Sequence, residues 1–240
     1  MKKILIITLT LFTFCSYAQE KKEKKKATFA TKIIQNSVAG FSPIFFGSFE
    51  TNKNFDITIY SVFWTNTSFG NPDAGSDLLL ETGIGLGFKL LDNHMFLNPS
   101  IGFGHGKFFS DNKATQVGEG IIPNVYMAYN KGLLDFEGYV AYYKSLRDKS
   151  SINTKDYFLH WLAPGINVSD RLVLGAFYES LGITNQENNA DDLQIYRFFG
   201  GSVKLKFDKG IAFRLSAGAN LDTDIGDWDE FYKVSAFIPL

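Results

Sequence analysis

The side chains able to do chemistry are few and scattered. Histidine occurs three times, at His94, His105 and His160. His94 sits in the polar stretch LDNH and reads as a turn residue. His105 precedes Ser110, the pair of residue types that a lipid hydrolase would use as base and nucleophile if hydrogen-bond distance separated them. His160 lies in YFLHWLAP, where neither face stands out. Metal binding needs clustered ligands, and three isolated histidines supply none. Two glycine clusters, GIGLG (83–87) and GFGHG (102–106), lack the spacing and the following helix of a phosphate-binding loop. The run DTDIGDWDE (222–230) carries Asp222, Asp224, Asp227 and Asp229. Alternating carboxylates can ligate Ca²⁺, but Gly226 falls one place early for a twelve-residue calcium loop and the distal Glu is missing. A solvated loop is the simpler reading, with divalent-cation bridging to lipopolysaccharide as a further use. The remaining candidates are charges embedded in apolar runs: Glu81, Lys89, Asp135, Glu137, Arg171, Glu179, Lys204, Lys206 and Arg214. No cofactor is implied, and the chain is not expected to be an enzyme.

What positions those charges is a two-residue alternation. In LLLETGIGLGFKL (78–90) one parity reads Leu78, Leu80, Thr82, Ile84, Leu86, Phe88, Leu90, and the other Leu79, Glu81, Gly83, Gly85, Gly87, Lys89. Residues 211–221 repeat the pattern, with Ile211, Phe213, Leu215, Ala217, Ala219 and Leu221 opposite Ala212, Arg214, Ser216, Gly218 and Asn220. Such period-two runs argue for strands. A soluble barrel would turn the apolar parity inward and dress the other in Lys, Glu and Thr; here the second parity is mostly glycine and small polar residues. That suits a narrow lumen, while the apolar parity suits lipid and its aromatic girdles.

Short turn signals recur at nearly even intervals: TNKN (51–54), LDNH (91–94), NKG (130–132), SDR (169–171) and DKG (208–210). Between them lie longer polar connections at 68–77, 110–116, 148–155, 184–192 and 222–230. Short turns on one side and long loops on the other are the layout of a transmembrane barrel. A strand rising about 3.3 Å per residue and tilted near 40° needs roughly ten residues to cross an apolar band about 25 Å tall. The segments are long enough. Eleven strands are evident, and an even number requires a twelfth, for which ATFATKIIQNSV (27–38) is the candidate. The expected fold is all-β, a transmembrane antiparallel up-and-down barrel of twelve strands. Ten is the alternative, with 27–50 partly plugging or capping the barrel.

Composition agrees. Aromatic residues make up 16% of the chain, with 24 Phe, 11 Tyr and 22 Gly, a mix that favours strands and close backbone approach. A formal net charge of −1 offers no basic excess for nucleic acid. The N-terminus reads as a secretory signal peptide over 1–18: MKK, an apolar ILIITLTLFTF, then Ser16-Tyr17-Ala18. Cys15 is the sole cysteine and follows Phe14 where a lipoprotein anchor needs a small residue, so cleavage is expected to leave no thiol. Residues 19–26 form a charged periplasmic tail, and 27–240 a single outer-membrane barrel domain.

The C-terminal segment places Tyr232, Val234, Ala236, Ile238 and Leu240 on one parity. It resembles the terminal strand that barrel-assembly machinery reads, although that pattern usually ends in Phe. With the signal peptide and hairpin repeat, the whole mature chain resembles the small porin-like outer-membrane barrel proteins of Gram-negative bacteria. The resemblance implies location in the bacterial outer membrane and contact with the bilayer and lipopolysaccharide; it implies little about activity. Near the periplasmic end the inward parity carries five basic residues (Lys89, Arg171, Lys204, Lys206, Arg214) against Asp135 and Glu137. The first expectation is a narrow passive pore for small solutes, weakly biased to anions. The alternative is a non-conducting structural or surface-binding barrel closed by salt bridges, and the third is a lipid-modifying enzyme.

Overall fold

The computed structural model describes residues 26–51, 54–65, 78–109, 116–146, 154–186, 192–222 and 229–240. Within them twelve strands form one closed antiparallel ring. In chain order they are β1 (Ala27–Asn36), β2 (Gly40–Glu50), β3 (Asp56–Trp64), β4 (Leu79–Leu90), β5 (Met95–Gly106), β6 (Gln116–Lys131), β7 (Leu134–Ser145), β8 (Lys155–Asn167), β9 (Leu172–Gln186), β10 (Leu193–Lys206), β11 (Ala212–Asn220) and β12 (Glu230–Pro239). Each strand pairs with its chain neighbours, and β1 closes the ring on β12 from Ala30 opposite Pro239 to Asn36 opposite Lys233. The segment at 27–50 is therefore wall rather than plug, and the ring counts twelve. Closure leaves no unpaired sheet edge, the condition for a sheet to cross a hydrocarbon layer.

The short turns are built as their residues require. Leu91, Asp92 and Asn93 take positive φ between β4 and β5, and Gly132 does so between β6 and β7. A tight turn at Asp208–Gly210 links β10 to β11. The β1–β2 turn at 37–39 lies at the opposite end, with the long connections, and is itself short; Asn36 Oδ1 accepts hydrogen bonds from the amides of Val38 and Ala39.

The outward parity is apolar and exposed. Ile84 is 56% exposed, Ile101 49%, Leu215 52% and Phe199 51%. On the other parity of the same strands Leu79 and Glu81 are each 1% exposed and Ser216 1%. A surface that shows Ile, Leu and Phe while burying Glu is inside-out for water and correct for lipid. No helix among the described residues is long and apolar enough to cross a membrane, so crossing falls to the strands.

Candidate functional site: the lumen

Twelve strands enclose more space than eight, whose side chains alone fill the bore, and less than an open porin's sixteen. Here the inward side chains reach into the bore in two layers.

The layer near the short turns is ionic. Asp135 and Glu137 of β7 face Lys204 of β10, whose Nζ donates to both carboxylates at 3.1 and 2.7 Å. Arg214 of β11 donates to Glu137 at 2.9 and 3.2 Å. From β1, Lys32 comes within 3.9 Å of Glu137. In a ring of twelve, β1 and β7 stand opposite one another, so this contact crosses the full width of the barrel. Asp135 also accepts from Asn130 at 2.7 Å. All five charged side chains are at least four-fifths buried, which explains why each is paired: an isolated charge there would be strongly unfavourable.

The layer near the long connections is aromatic. Phe108 and Phe109, just after β5, turn into the mouth and meet Tyr143 of β7 and Tyr157 of β8; Phe108 stacks on Tyr157 at 4.3 Å. Phe109 is fully buried. Its ring occupies a recess that glycines leave open: a Cβ on Gly104 or Gly120 would lie 2.5 or 2.4 Å from it. Across the mouth Phe198 stacks on Tyr196 at 4.2 Å and on Phe231 at 4.4 Å. Beneath this layer Tyr60 of β3 donates to Glu81 at 2.7 Å and accepts from Asn124 at 2.7 Å, while the Tyr143 hydroxyl donates to the other Glu81 oxygen at 3.3 Å. The Tyr60 ring passes over Gly83 and its hydroxyl over Gly102, where a Cβ would come within 2.2 and 2.3 Å of them. The glycine parity therefore seats rings that reach across the lumen.

Trp161 of β8 joins the layers. Lys32 lies 5.4 Å and Lys233 5.9 Å from its ring, and Tyr139 stacks on it at 6.2 Å. Lys233 pairs with Glu179, which also accepts from Tyr196 at 3.0 Å.

The sequence-derived charges divide accordingly. Glu81, Asp135, Glu137, Glu179, Lys204 and Arg214 lie in the lumen, where Tyr139, Tyr143 and Phe177 also project. Lys89 and Lys206 lie at the short-turn rim, Lys89 half-exposed and 3.0 Å from Asp56, Lys206 donating to Asn167 at 2.7 Å. Arg171 departs from expectation. β9 begins only at Leu172, so Arg171 belongs to the turn; its side chain is 72% exposed and faces Asp208 at 3.6 Å. Lys32 and Lys233 are further lumen charges that went unassigned by sequence, although each falls on the inward parity of its terminal strand.

His94 Nδ1 meets the Asn130 carbonyl at 3.1 Å, as a turn residue would. Both ring nitrogens of His105 have partners, Thr82 Oγ1 at 3.2 Å and the Gly118 amide at 3.0 Å. Ser110, Asp224, Asp227 and residues 1–25 lie outside the described residues; Asp222 pairs with Arg197 at 3.1 Å. No cluster of metal-ligating side chains occurs among the described residues.

A closed ring, an apolar exterior and a polar interior define a transmembrane β-barrel of the outer-membrane type. The chain belongs to the family of unknown function DUF6733, whose model matches residues 1–240. No curated protein matches it in sequence. Among solved structures it is similar to an outer membrane channel from Pseudomonas putida F1, at 11% identity and a TM-score of 0.57, over 93% of this chain and 98% of that one. It is also similar to the NanC porin, at 11% identity and a TM-score of 0.51, over 88% of this chain and 100% of that one. Likeness at this identity concerns the fold.

Proposed function

We propose that the protein is a resident outer-membrane barrel, delivered by barrel-assembly machinery through β12, whose lumen is shut by its own side chains. It serves as a non-conducting scaffold with the long connections as its contact surface. One observation carries this reading: the Lys32–Glu137 contact at 3.9 Å joins opposite walls, within a network that also ties Lys204 and Arg214 to β7. A hydrated path would keep those charges apart.

The second reading, a narrow passive pore for small solutes, draws on the make-up of the same network. Three cations face two carboxylates, so the layer carries a surplus positive charge that would favour small anions wherever a path opened. Two barrels with a similar fold are described as a channel and a porin. Single-channel recording of the purified full-length protein in planar bilayers separates the two. A flat current is expected; discrete steps with anion selectivity would replace the closed reading by the pore.

A further inference from the structure

The outer wall carries a niche that the lumen chemistry leaves unexplained. It lies where β8, β9 and β10 approach the long connections, on their outward parity, and has a volume of about 470 Å³. Phe158, His160, Tyr178, Ser180, Gln194 and Arg197 line it together with the Asp192 carboxylate, so an anion would enter beside one acidic group. Around it the outward parity is ordinary lipid-facing surface, with Leu162, Leu174, Phe199 and Val203 exposed.

Two irregularities produce the niche. The β8–β9 register slips between Asp156 and Tyr157, and the β10–β9 register slips between Gln194 and Tyr196. Bulges bend and twist a strand and re-aim its side chains. Here both flank the end of β9, and Gly182 between them brings no side chain to fill the opening. His160 and Ser180 stand directly opposite one another on the outward face. Gln194 Nε2 donates to Ser180 Oγ at 3.1 Å and to the Leu181 carbonyl at 2.7 Å, which holds its amide oxygen toward Arg197, 3.3 Å away. Arg197 is 43% exposed beside Asp222. The His160 ring leans on Phe158 at 5.0 Å and Tyr178 at 5.5 Å. Its Nδ1 is buried and has no hydrogen-bond partner among the described residues.

Polar groups on a lipid-facing wall are unfavourable unless something satisfies them, and ionisable residues at that depth mark function more often than chance. A guanidinium, an unpartnered imidazole nitrogen and two aromatic walls on the outward face of the barrel suit one occupant. We propose that this niche binds the phosphorylated sugar headgroup of an outer-leaflet glycolipid. Arg197 exchanges Asp222 for the phosphate, a turn of the His160 ring brings Nδ1 out to a sugar hydroxyl or phosphate oxygen, and Phe158 and Tyr178 flank the first acyl segment. The site is independent of whether the lumen conducts.

The test uses the full-length protein in nanodiscs of phosphatidylethanolamine and phosphatidylglycerol, with native mass spectrometry reading bound lipid. Diphosphorylated lipid A is expected to be retained as one molecule per barrel. Its dephosphorylated form, and the Arg197→Gln and His160→Phe variants, should each weaken retention about tenfold, the scale of one lost charge-assisted hydrogen bond. Heat-modifiable migration on unheated gels checks that the variants are folded; if His160→Phe does not fold, His160→Gln takes its place. Equal retention of phosphatidylglycerol, or of lipid A by all variants, would reduce the niche to ordinary annular surface and overturn the proposal. Displacement of lipid A by inorganic phosphate alone would overturn the lipid as source. Release of fatty acid, abolished by Ser180→Ala, would overturn passive binding in favour of hydrolysis.

Discussion

The two halves of the lumen are packed by different physics. Near the long connections the seal is a set of interlocked rings, with Phe109 and Tyr143 almost wholly buried and glycines recessed to receive them. Near the short turns it is a set of ion pairs in which Glu137 is shared among Lys32, Lys204 and Arg214. Ring packing is non-directional but volume-sensitive: removing a ring leaves a hole. Ion pairing is directional but exchangeable, because a cation can move from one carboxylate to its neighbour without opening a void. Trp161, with Lys32 and Lys233 near its ring, couples the two. The ionic half is thus the part that can rearrange, and the aromatic half the part that must stay filled.

The largest break in that contrast is Glu137→Ala. It strips the shared anion from three cations that have little water to fall back on. Removing one partner of a buried pair costs about 3–5 kcal/mol, and service to three cations places this case toward the upper end. The midpoint of urea unfolding in detergent micelles should fall accordingly. Glu137→Gln, which keeps the shape, should destabilise nearly as much, since shape is not what holds Lys32 and Arg214. If Glu137→Gln proves neutral, the ionic seal is packing in disguise.

Next comes Phe109→Ala, expected to lower stability by about 3 kcal/mol through lost contact and the cavity left in the mouth. The two seals then diverge in their rescue. Phe109→Leu should recover much of the loss because volume matters, whereas no apolar replacement should rescue Glu137.

How much of this was legible beforehand depends on which side of the sheet is considered. The lipid-facing parity of 78–90 and 211–221 was plain, since Ile84, Leu86, Phe213 and Leu215 alternate with residues no lipid would tolerate or with glycine. The need for a twelfth strand followed from an even count, and β1 supplies it. The parity of YFLHWLAP was illegible because the lumen there is itself apolar: Tyr157, Leu159 and Trp161 face inward while Phe158 and Leu162 face lipid, so alternation vanishes. The niche at His160 was hidden for that reason and because bulges leave no sequence mark here. The hub at Tyr60 was hidden too. Which strands face each other across the lumen depends on the stagger of the whole ring, a quantity set by all twelve strands together. Arg171 went astray by a single residue at a strand boundary, where local pattern is weakest.

A smaller effect tests the boundary between the two seals. Tyr60→Phe keeps the ring over Gly83 but removes the hydroxyl that lies over Gly102 and is shared by Glu81 and Asn124. Glu81 retains Tyr143, so one partner is lost rather than all, and the expected loss is about 1–3 kcal/mol. Gly83→Val, by contrast, should behave as an aromatic-half lesion, since the new side chain would collide with the Tyr60 ring. A folded yield in Gly83→Val equal to the parent would mean the ring can swing aside, and the recess would lose its meaning.

The smallest effect belongs to the rim. Lys89 sits 3.0 Å from the buried Asp56 yet is itself half-exposed, so water competes for the ammonium and salt screens it, and Asp56 keeps the Ser48 hydroxyl as a donor at 3.0 Å when Lys89 is lost. Lys89→Ala should change the unfolding midpoint by no more than about 1 kcal/mol at low salt, and the difference should shrink as salt rises. The contrast with Glu137 is the point. Both residues are half of a close Lys–carboxylate pair, and they differ chiefly in how much water reaches them. If Lys89→Ala were as damaging as Glu137→Ala, burial would not be what strengthens the ionic layer. The lumen would then have to be wet along its length, and the pore would become the better account of the barrel.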